Sequence, residues 1–173
     1  MEKVILVDEY DNEIGIEEKI KTHQAGLLHR AFSVFIVNKN GDLLLQQRSL
    51  NKYHSAGLWT NTCCSHPRPN ENVTNAAERR LQEEMGFTTK LKPIFQFIYN
   101  VAFENGLSEH EYDHVLLGEY NGEISINEQE VADFKFVALD AIEDLIATTP
   151  EQFTTWFRIA FPRLKQWLQA NSH

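Results

Sequence analysis

Short segments of strand composition, separated by turn sequences, occupy most of this chain and leave few folds open. Residues 31–37 ("AFSVFIV") are rich in β-branched and aromatic side chains, and "NKNGD" then supplies a hairpin turn into a strand at 43–47. Hairpins outnumber strand–helix–strand units, which favours an α+β fold with a mixed or mostly antiparallel sheet. The other predicted strands are residues 4–7, followed by the turn "DEYDNEIG", then 58–64, 94–103, 109–120 and 131–138.

Helices are predicted in one central and two C-terminal segments. Apolar side chains recur every fourth residue in 74–85, and Gly86 is placed to end that helix. Segments 140–146 and 151–169 are also helical in pattern, the second interrupted or kinked at Pro162. Because no repeat or linker divides the chain, we expect one domain over residues 1–173, with helices flanking the sheet.

Composition restricts the partners of the chain. The 173 residues are 42% hydrophobic and carry a formal net charge of −9, which disfavours nucleic acid as a partner but permits a small anionic substrate held by local cations. No apolar run approaches the roughly 20 residues of a membrane span, and "MEKVILVDEYDNEIG" does not resemble a signal peptide. Two adjacent cysteines cannot form a disulfide framework, so we expect a reducing, cytoplasmic location.

The stretch "NTCCSH", residues 61–66, contains both cysteines of the chain. Side chains of an extended segment alternate, so Cys64 and His66 share a face and Cys63 points to the other side. Cys63 is interpreted as a small buried hydrophobe. Cys64, beside a histidine or a metal, is a candidate reactive thiol.

The stretch "EHEYDH", residues 109–114, places Glu109 and Glu111 on one face of a strand. Two neighbouring carboxylates repel unless a cation lies between them or one holds a proton. A solvated edge strand is the alternative, but the apolar residues 115–117 follow directly and favour a pocket mouth. His23, His29 and His66 match no zinc-finger spacing, and on residue type alone each could equally be a surface histidine.

The central helix ends in "ERRLQEEMGF", where Glu83 and Glu84 oppose the helix dipole and suggest either a metal site or a solvated face. The segment resembles a Nudix box, with Ser65 in place of the first glycine and Arg80 in place of a glutamate of the acidic metal cluster. This second change argues against pyrophosphate hydrolysis. The residues that fit the pattern are Glu71, Arg79, Leu81, Glu83, Glu84, Gly86 and Phe87.

Four further blocks are similar to the type 1 isopentenyl-diphosphate delta-isomerase family, a branch of the Nudix superfamily. They are "GLLHRAFSVF", "LLLQQRS", "LWTNTCCSHP" and "EHEYDH", and they occur in the order and spacing of that family. The similarity runs from about residue 4 to residue 167. "HSAGLW" departs from it, because the family usually has a proline before the glycine.

The resemblance implies a Nudix-type fold and the reversible 1,3-allylic rearrangement of isopentenyl diphosphate to dimethylallyl diphosphate. It assigns Cys64 and Glu111 as the acid–base pair on opposite faces of the substrate. Tyr99 would assist the carboxylate, and the indole of Trp156 would stabilise the cationic intermediate through its π-face.

The resemblance also implies two metal sites and a set of phosphate-binding cations. A divalent metal, manganese, zinc, iron or magnesium, would bind His23, His29, His66, Glu109 and Glu111. Magnesium bridging the diphosphate would bind Glu84. The cations that hold the phosphates would be Lys19, Arg48, Lys52 and Arg80.

Two other function classes stay open at this stage. A Nudix enzyme that hydrolyses a diphosphate would leave the histidine and glutamate set unexplained. A non-catalytic metal-binding domain would make Cys64 dispensable. The fold alone does not distinguish these readings, because one fold hosts many functions.

Overall fold

The computed structural model describes residues 2–52 and 54–171. The strands in this part of the chain are β1 (Lys3–Val7), β2 (Glu13–Glu18), β3 (Leu28–Val37), β4 (Leu43–Arg48), β5 (Trp59–Thr60), β6 (Cys63–Ser65), β7 (Lys92–Ala102), β8 (Ser108–Glu119) and β9 (Val131–Val137). The α-helices are α1 (Lys19–Ala25), α2 (Val73–Met85), α3 (Leu139–Thr148) and α4 (Thr155–Ala170), and a 3₁₀ turn covers Pro150–Gln152.

Strand β3 lies at the centre of the sheet and pairs with four other strands. It pairs in parallel with β8 along its whole length, from Leu28↔His110 to Val37↔Glu119. Because β8 occupies one edge of β3 throughout, β1, β6 and β4 follow one another along the opposite edge. Strand β7 pairs with β8, and β9 and β5 pair with β4, all antiparallel. The sheet is therefore mixed, as predicted.

Helices cover both faces of the sheet. Alternate residues of β3, among them Val34 and Ile36, pack in one core with Leu81 and Met85 of α2. Phe35 points to the other face, into a second core formed with α3 and α4. The period of two in β3 thus separates the chain into three layers, which confirms the α+β class with flanking helices.

The predicted strand at 58–64 is wrong, because the segment forms two short strands with different partners: β5 pairs with β4, and β6 pairs with β3. Between them, the buried side chain of Asn61 donates to the carbonyl oxygens of Val34 and Cys63. Thr62 Oγ1 likewise donates to the carbonyl of Leu44. These polar side chains replace ladder hydrogen bonds where the chain crosses from one strand to the other.

Two other boundaries differ from the sequence prediction, and one helix was not predicted. The helix predicted at 151–169 is not interrupted at Pro162; it begins instead at Thr155, where Thr154 Oγ1 accepts from the N–H of Phe157 at 3.3 Å. The predicted turn "DEYDNEIG" ends early, since β2 begins at Glu13. Helix α1 was not predicted, because its seven residues are too few for an apolar period to show.

The end of α2 is fixed by a glycine, as predicted. Gly86 has φ +74°, and its N–H donates to the carbonyl of Gln82. A Cβ at this position would lie 2.2 Å from the carbonyl oxygen of Ser125. The following loop is therefore packed directly on the helix end. Within the described residues, no helix has the length and apolarity needed to cross a membrane.

Candidate active site

Strand pairing brings the predicted site residues together from distant parts of the chain. The β3–β8 register places His29 beside Glu111, and the β7–β8 register places Tyr99 on the other side of Glu111. A single pocket is lined by every predicted site residue except His23 and His29, which are fully buried behind it.

A buried group of three imidazoles surrounds Glu111. His29 Nε2 lies 3.1 Å and His66 Nε2 lies 2.7 Å from Glu111 Oε2. One donor atom from each of four residues lies within 4.8 Å of the other three: His23, His29, His66 and Glu111. The structure therefore places four of the five predicted ligands of the histidine and glutamate site in one group.

Glu109, the fifth predicted ligand, belongs to an adjoining group with His23 and His54. Its Oε1 lies 3.1 Å from His54 Nε2 and 3.9 Å from His23 Nε2. Tyr99 connects the two groups, because its single hydroxyl proton is shared between Glu109 Oε2, which lies 2.9 Å from the hydroxyl oxygen, and Glu111 Oε1, which lies closer. The two carboxylates on one face of β8 thus share a phenol between them.

Burial and charge set the protonation states around Glu111. Burial raises its pKa, but the hydrogen bonds and charges of His29 and His66 outweigh burial and hold the pKa well below the ordinary value. Burial, reinforced by the charges of Glu109 and Glu111, raises the pKa of Tyr99 well above its ordinary value. Burial lowers the pKa of His23 to about 4. Glu111 is therefore an ionised acceptor, and Tyr99 is a neutral donor.

The adjacent thiols point into different surroundings. Cys63 is fully buried in the core against α2, whereas Cys64 contacts the core against α4 and lines the pocket. Burial raises the pKa of Cys64, and the charge of Arg48 only partly opposes this. Cys64 is therefore a thiol that retains its proton.

The interpretation of Cys63 as a plain hydrophobe is incomplete. Its Sγ donates a hydrogen bond to Glu84 Oε2 at 2.7 Å. Glu84 is 3% exposed, and burial raises its pKa although Arg80 and Cys63 oppose this effect. Cys63 thus contacts, from the core side, the Glu84 carboxylate that lines the pocket.

Cations and aromatic rings complete the pocket wall. The guanidinium carbon of Arg48 lies 5.1 Å from the ring centre of Trp156, and its Nη2 donates to the carbonyl of His54 at 3.2 Å. The His54 ring stacks on Phe103 with centroids 4.7 Å apart and meets Trp156 edge-on at 5.8 Å. Trp156 itself is 3% exposed.

The donor set fits a divalent cation. Three buried imidazoles packed against one carboxylate are costly to bury without a compensating charge, and nitrogen and oxygen donors of this kind suit several transition metals. The Nδ1 atoms of His23 and His29 contact the carbonyl oxygens of Lys19 and Leu27, which leaves each Nε2 directed at the carboxylates. Such backbone contacts typically orient metal-binding histidines.

Two residues of the site were missed by the sequence analysis. His54 lies in a loop without periodicity, and only its proximity to Lys52 in "KYH" could have suggested a role. Glu130 contacts Lys52 and Arg80 from the loop before β9. The polar stretch "NEQE" contains two acids, and nothing in the local sequence distinguishes Glu130 from Glu128.

Comparison with known proteins identifies the fold and the family of the chain. The model of the NUDIX domain matches residues 27–157. In solved structures, the chain superimposes on DR0079 from Deinococcus radiodurans (TM-score 0.71, 17% identity, 86% of this chain and 90% of that one). It also superimposes on a MutT protein from Methanosarcina mazei Go1 (TM-score 0.67, 20% identity, 84% and 96%). These similarities establish the fold.

Curated relatives define a narrower group. The isopentenyl-diphosphate Delta-isomerase of Burkholderia multivorans is 47% identical over 171 residues, 96% of this chain and 97% of that protein. The protein of the same name from Pectobacterium atrosepticum is 48% identical over 168 residues, 97% and 94%. The chain belongs to the Nudix family and, within that family, to the isopentenyl-diphosphate Delta-isomerases.

Proposed function

We propose that this chain catalyses the reversible 1,3-allylic isomerisation of isopentenyl diphosphate to dimethylallyl diphosphate. One observation carries the proposal: a proton-bearing thiol, Cys64, and an ionised carboxylate, Glu111, line the same pocket as four cationic side chains. The relatives named for this reaction support it over nearly the full length of the chain.

The reaction moves a double bond by adding one proton and removing another. One group of the pair protonates the terminal alkene carbon, and the other removes a proton from the allylic carbon. The two proton transfers leave the composition of the substrate unchanged and move one proton from the donor to the acceptor of the pair, and that proton must return to the donor before the next turnover. Cys64 and Glu111 are the proposed pair, because burial favours the protonated thiol of Cys64 whereas Glu111 is an ionised carboxylate in the same pocket. Tyr99 orients the carboxylate through its hydrogen bond to Glu111.

The protonated species has the charge distribution of a tertiary carbocation, so the pocket must exclude water and favour positive charge. Trp156 is the proposed stabilising ring, since its buried indole lines the pocket. The edge contact from His54 and the stacked Arg48 hold the indole in place.

The diphosphate end of the substrate is recognised by charge. Lys19, Arg48, Lys52 and Arg80 all line the pocket, although the chain as a whole has a net charge of −9. A local cluster of cations overrides the global charge at short range. Arg80, which stands where Nudix hydrolases have a glutamate, is here a phosphate ligand.

We further propose that His23, His29, His66, Glu109 and Glu111 hold a divalent metal, manganese, zinc or magnesium, and that Glu84 binds a magnesium ion together with the diphosphate. A cation held by the first group would fix the carboxylates and tune their basicity, and a magnesium ion held by Glu84 would neutralise phosphate charge. Four of the five buried donors, those of His23, His29, His66 and Glu111, lie within 4.8 Å of one another and support the first site, while Glu109 belongs to the adjoining group that shares His23. The nearly fully buried Glu84 beside Arg80 supports the second site.

Incubation of the purified protein with isopentenyl diphosphate and magnesium tests the proposal. Dimethylallyl diphosphate and free phosphate are measured in the same reaction. We expect the isomer to form without phosphate release. Phosphate without isomer would instead identify a hydrolase, and the absence of both products would leave a metal-binding domain.

A further inference from the structure

Two of the four pocket cations contact the same carboxylate oxygen. Glu130 Oε2 accepts a short hydrogen bond from Lys52 Nζ and lies 3.4 Å from Arg80 Nη2. The Nη2 atom of Arg80 also lies 3.7 Å from Glu84 Oε1. The Nη2 atom of Arg80 is therefore placed between two carboxylates, its Nη1 atom lies 3.3 Å from a third, that of Glu83, and Glu130 connects Arg80 to Lys52.

The backbone fixes Glu130 at this point. Its N–H donates to the carbonyl of Asn127 at 2.9 Å, and its carbonyl accepts from the N–H of Ser49 at 3.1 Å. The N–H of Asn127 in turn donates to the carbonyl of Glu84 at 2.9 Å. The loop before β9 is thus attached both to the end of α2 and to the end of β4, the two elements that carry Arg80 and Arg48.

The Glu130 side chain is an anion. Burial raises its pKa, but the hydrogen bond and charge of Lys52, together with the charge of Arg80, bring the pKa below the ordinary value. A carboxylate oxygen offers these cations the same charge and the same acceptor geometry as a phosphate oxygen. Any phosphate group that binds to Lys52 and Arg80 must share them with Glu130.

We propose that Glu130 is an internal competitor of the diphosphate, one that keeps Lys52 and Arg80 directed into the pocket and weakens the binding of small anions. A ligand with two phosphate groups also reaches Lys19 and Arg48 and overcomes this competition. A single phosphate group contacts fewer cations and is therefore displaced more easily by Glu130. Glu130 is then a specificity-determining residue. The inference rests on the proposed function, since it assumes that these cations bind a diphosphate.

Isothermal titration of inorganic diphosphate into the wild-type protein and into Glu130→Gln tests this inference. Glutamine preserves the shape of a side chain that is 29% exposed and removes its charge. We expect the dissociation constant to fall about fivefold, the equivalent of one partly exposed ion pair. The affinity for inorganic phosphate should increase by a larger factor than the affinity for inorganic diphosphate.

Steady-state kinetics provide a readout that a merely structural role would not give. In Glu130→Gln the KM for isopentenyl diphosphate should fall while kcat does not rise. Glu128→Gln, an exposed residue of the same loop, is the matched control and should leave both constants unchanged. Glu130→Ala should act in the same direction as Glu130→Gln and gives a second test if one variant folds poorly.

The two proposals fail in different ways. Unchanged or weaker binding of inorganic diphosphate by Glu130→Gln, with normal isomerase activity, would overturn the role of Glu130 alone. Tighter binding by the variant in a protein without isomerase activity would overturn the proposed reaction alone. A wild-type protein that neither binds inorganic diphosphate nor forms dimethylallyl diphosphate would overturn both.

Discussion

At the scale of single residues, the paired cysteines give the sharpest separation of roles. Cys64→Ala removes a proton-bearing group from the pocket and should lower kcat by about a thousandfold, within the usual range for loss of an acid–base group. Circular dichroism and metal content should stay as in the wild type, because Cys64 is not among the grouped metal donors.

Cys63→Ala is the matched control for that experiment. It should retain most of its kcat at saturating magnesium and lose about 1 kcal/mol of unfolding free energy, owing to the missing core contacts and the missing hydrogen bond to Glu84. An inactive Cys63→Ala beside an active Cys64→Ala would reverse the assignment of the two thiols.

His54 offers a second test at this scale. Its contact with Glu109 at 3.1 Å orients a proposed metal ligand, so His54→Ala should weaken metal binding about tenfold. Competition with a coloured chelator measures the affinity. His110→Ala, on the opposite face of β8, should bind metal as the wild type does. Equal affinities for both variants would show that His54 does not position Glu109.

At the scale of elements, the end of α2 depends on one glycine. Gly86→Ala should cost at least about 2 kcal/mol of unfolding free energy, because a left-handed residue without glycine's freedom is strained and its Cβ would meet the Ser125 carbonyl at 2.2 Å. Denaturant unfolding measures the loss. The magnesium requirement should also rise, since Glu84 lies in the last turn of this helix.

Gly106→Ala separates strain from collision. Gly106 has φ +79°, but a Cβ there would meet nothing within 4 Å among the described residues. Its substitution should cost only about 1 kcal/mol, the strain alone. Equal losses of unfolding free energy in Gly86→Ala and Gly106→Ala would mean that the close approach of Ser125 to the helix end adds nothing to the cost of the Gly86 substitution.

Elements that carry a period of their own were predictable from the sequence. The alternation of β6 and β8 correctly separated Cys63 from Cys64 and put Glu109 and Glu111 on one side. The crossing at Asn61 and Thr62 was not predictable, because it depends on hydrogen bonds to strands that are distant in sequence. The same holds for His54 and Glu130, whose partners are set by the fold and not by their neighbours in the chain.

At the scale of the whole molecule, metal binding should contribute to stability. A cation bound at a hundred times its dissociation constant stabilises the native state by about 2.7 kcal/mol. For a chain of this size, this corresponds to a rise of about 5–10 °C in Tm. Thermal melting with manganese or zinc and with a chelator measures the difference.

A variant pair shows whether that stabilisation comes from the predicted group. His66→Ala removes a donor that lies 2.7 Å from Glu111 and should lose most of the metal-dependent rise in Tm. His110→Ala should keep the rise. If His66→Ala kept it in full, the cation would have to bind elsewhere.

The parallel pairing of β3 with β8 also has a consequence for the order of events during folding. His29 and Glu111 are 82 positions apart, so a growing chain has all three clustered histidines long before either glutamate exists. Closing so large a loop is entropically costly and slow compared with hairpin formation. The N-terminal half therefore leaves the ribosome with the three histidines of the proposed metal-binding group but without its carboxylates, which lie on β8. The group is completed only when β8 pairs with β3, so assembly of the site is a late event in folding.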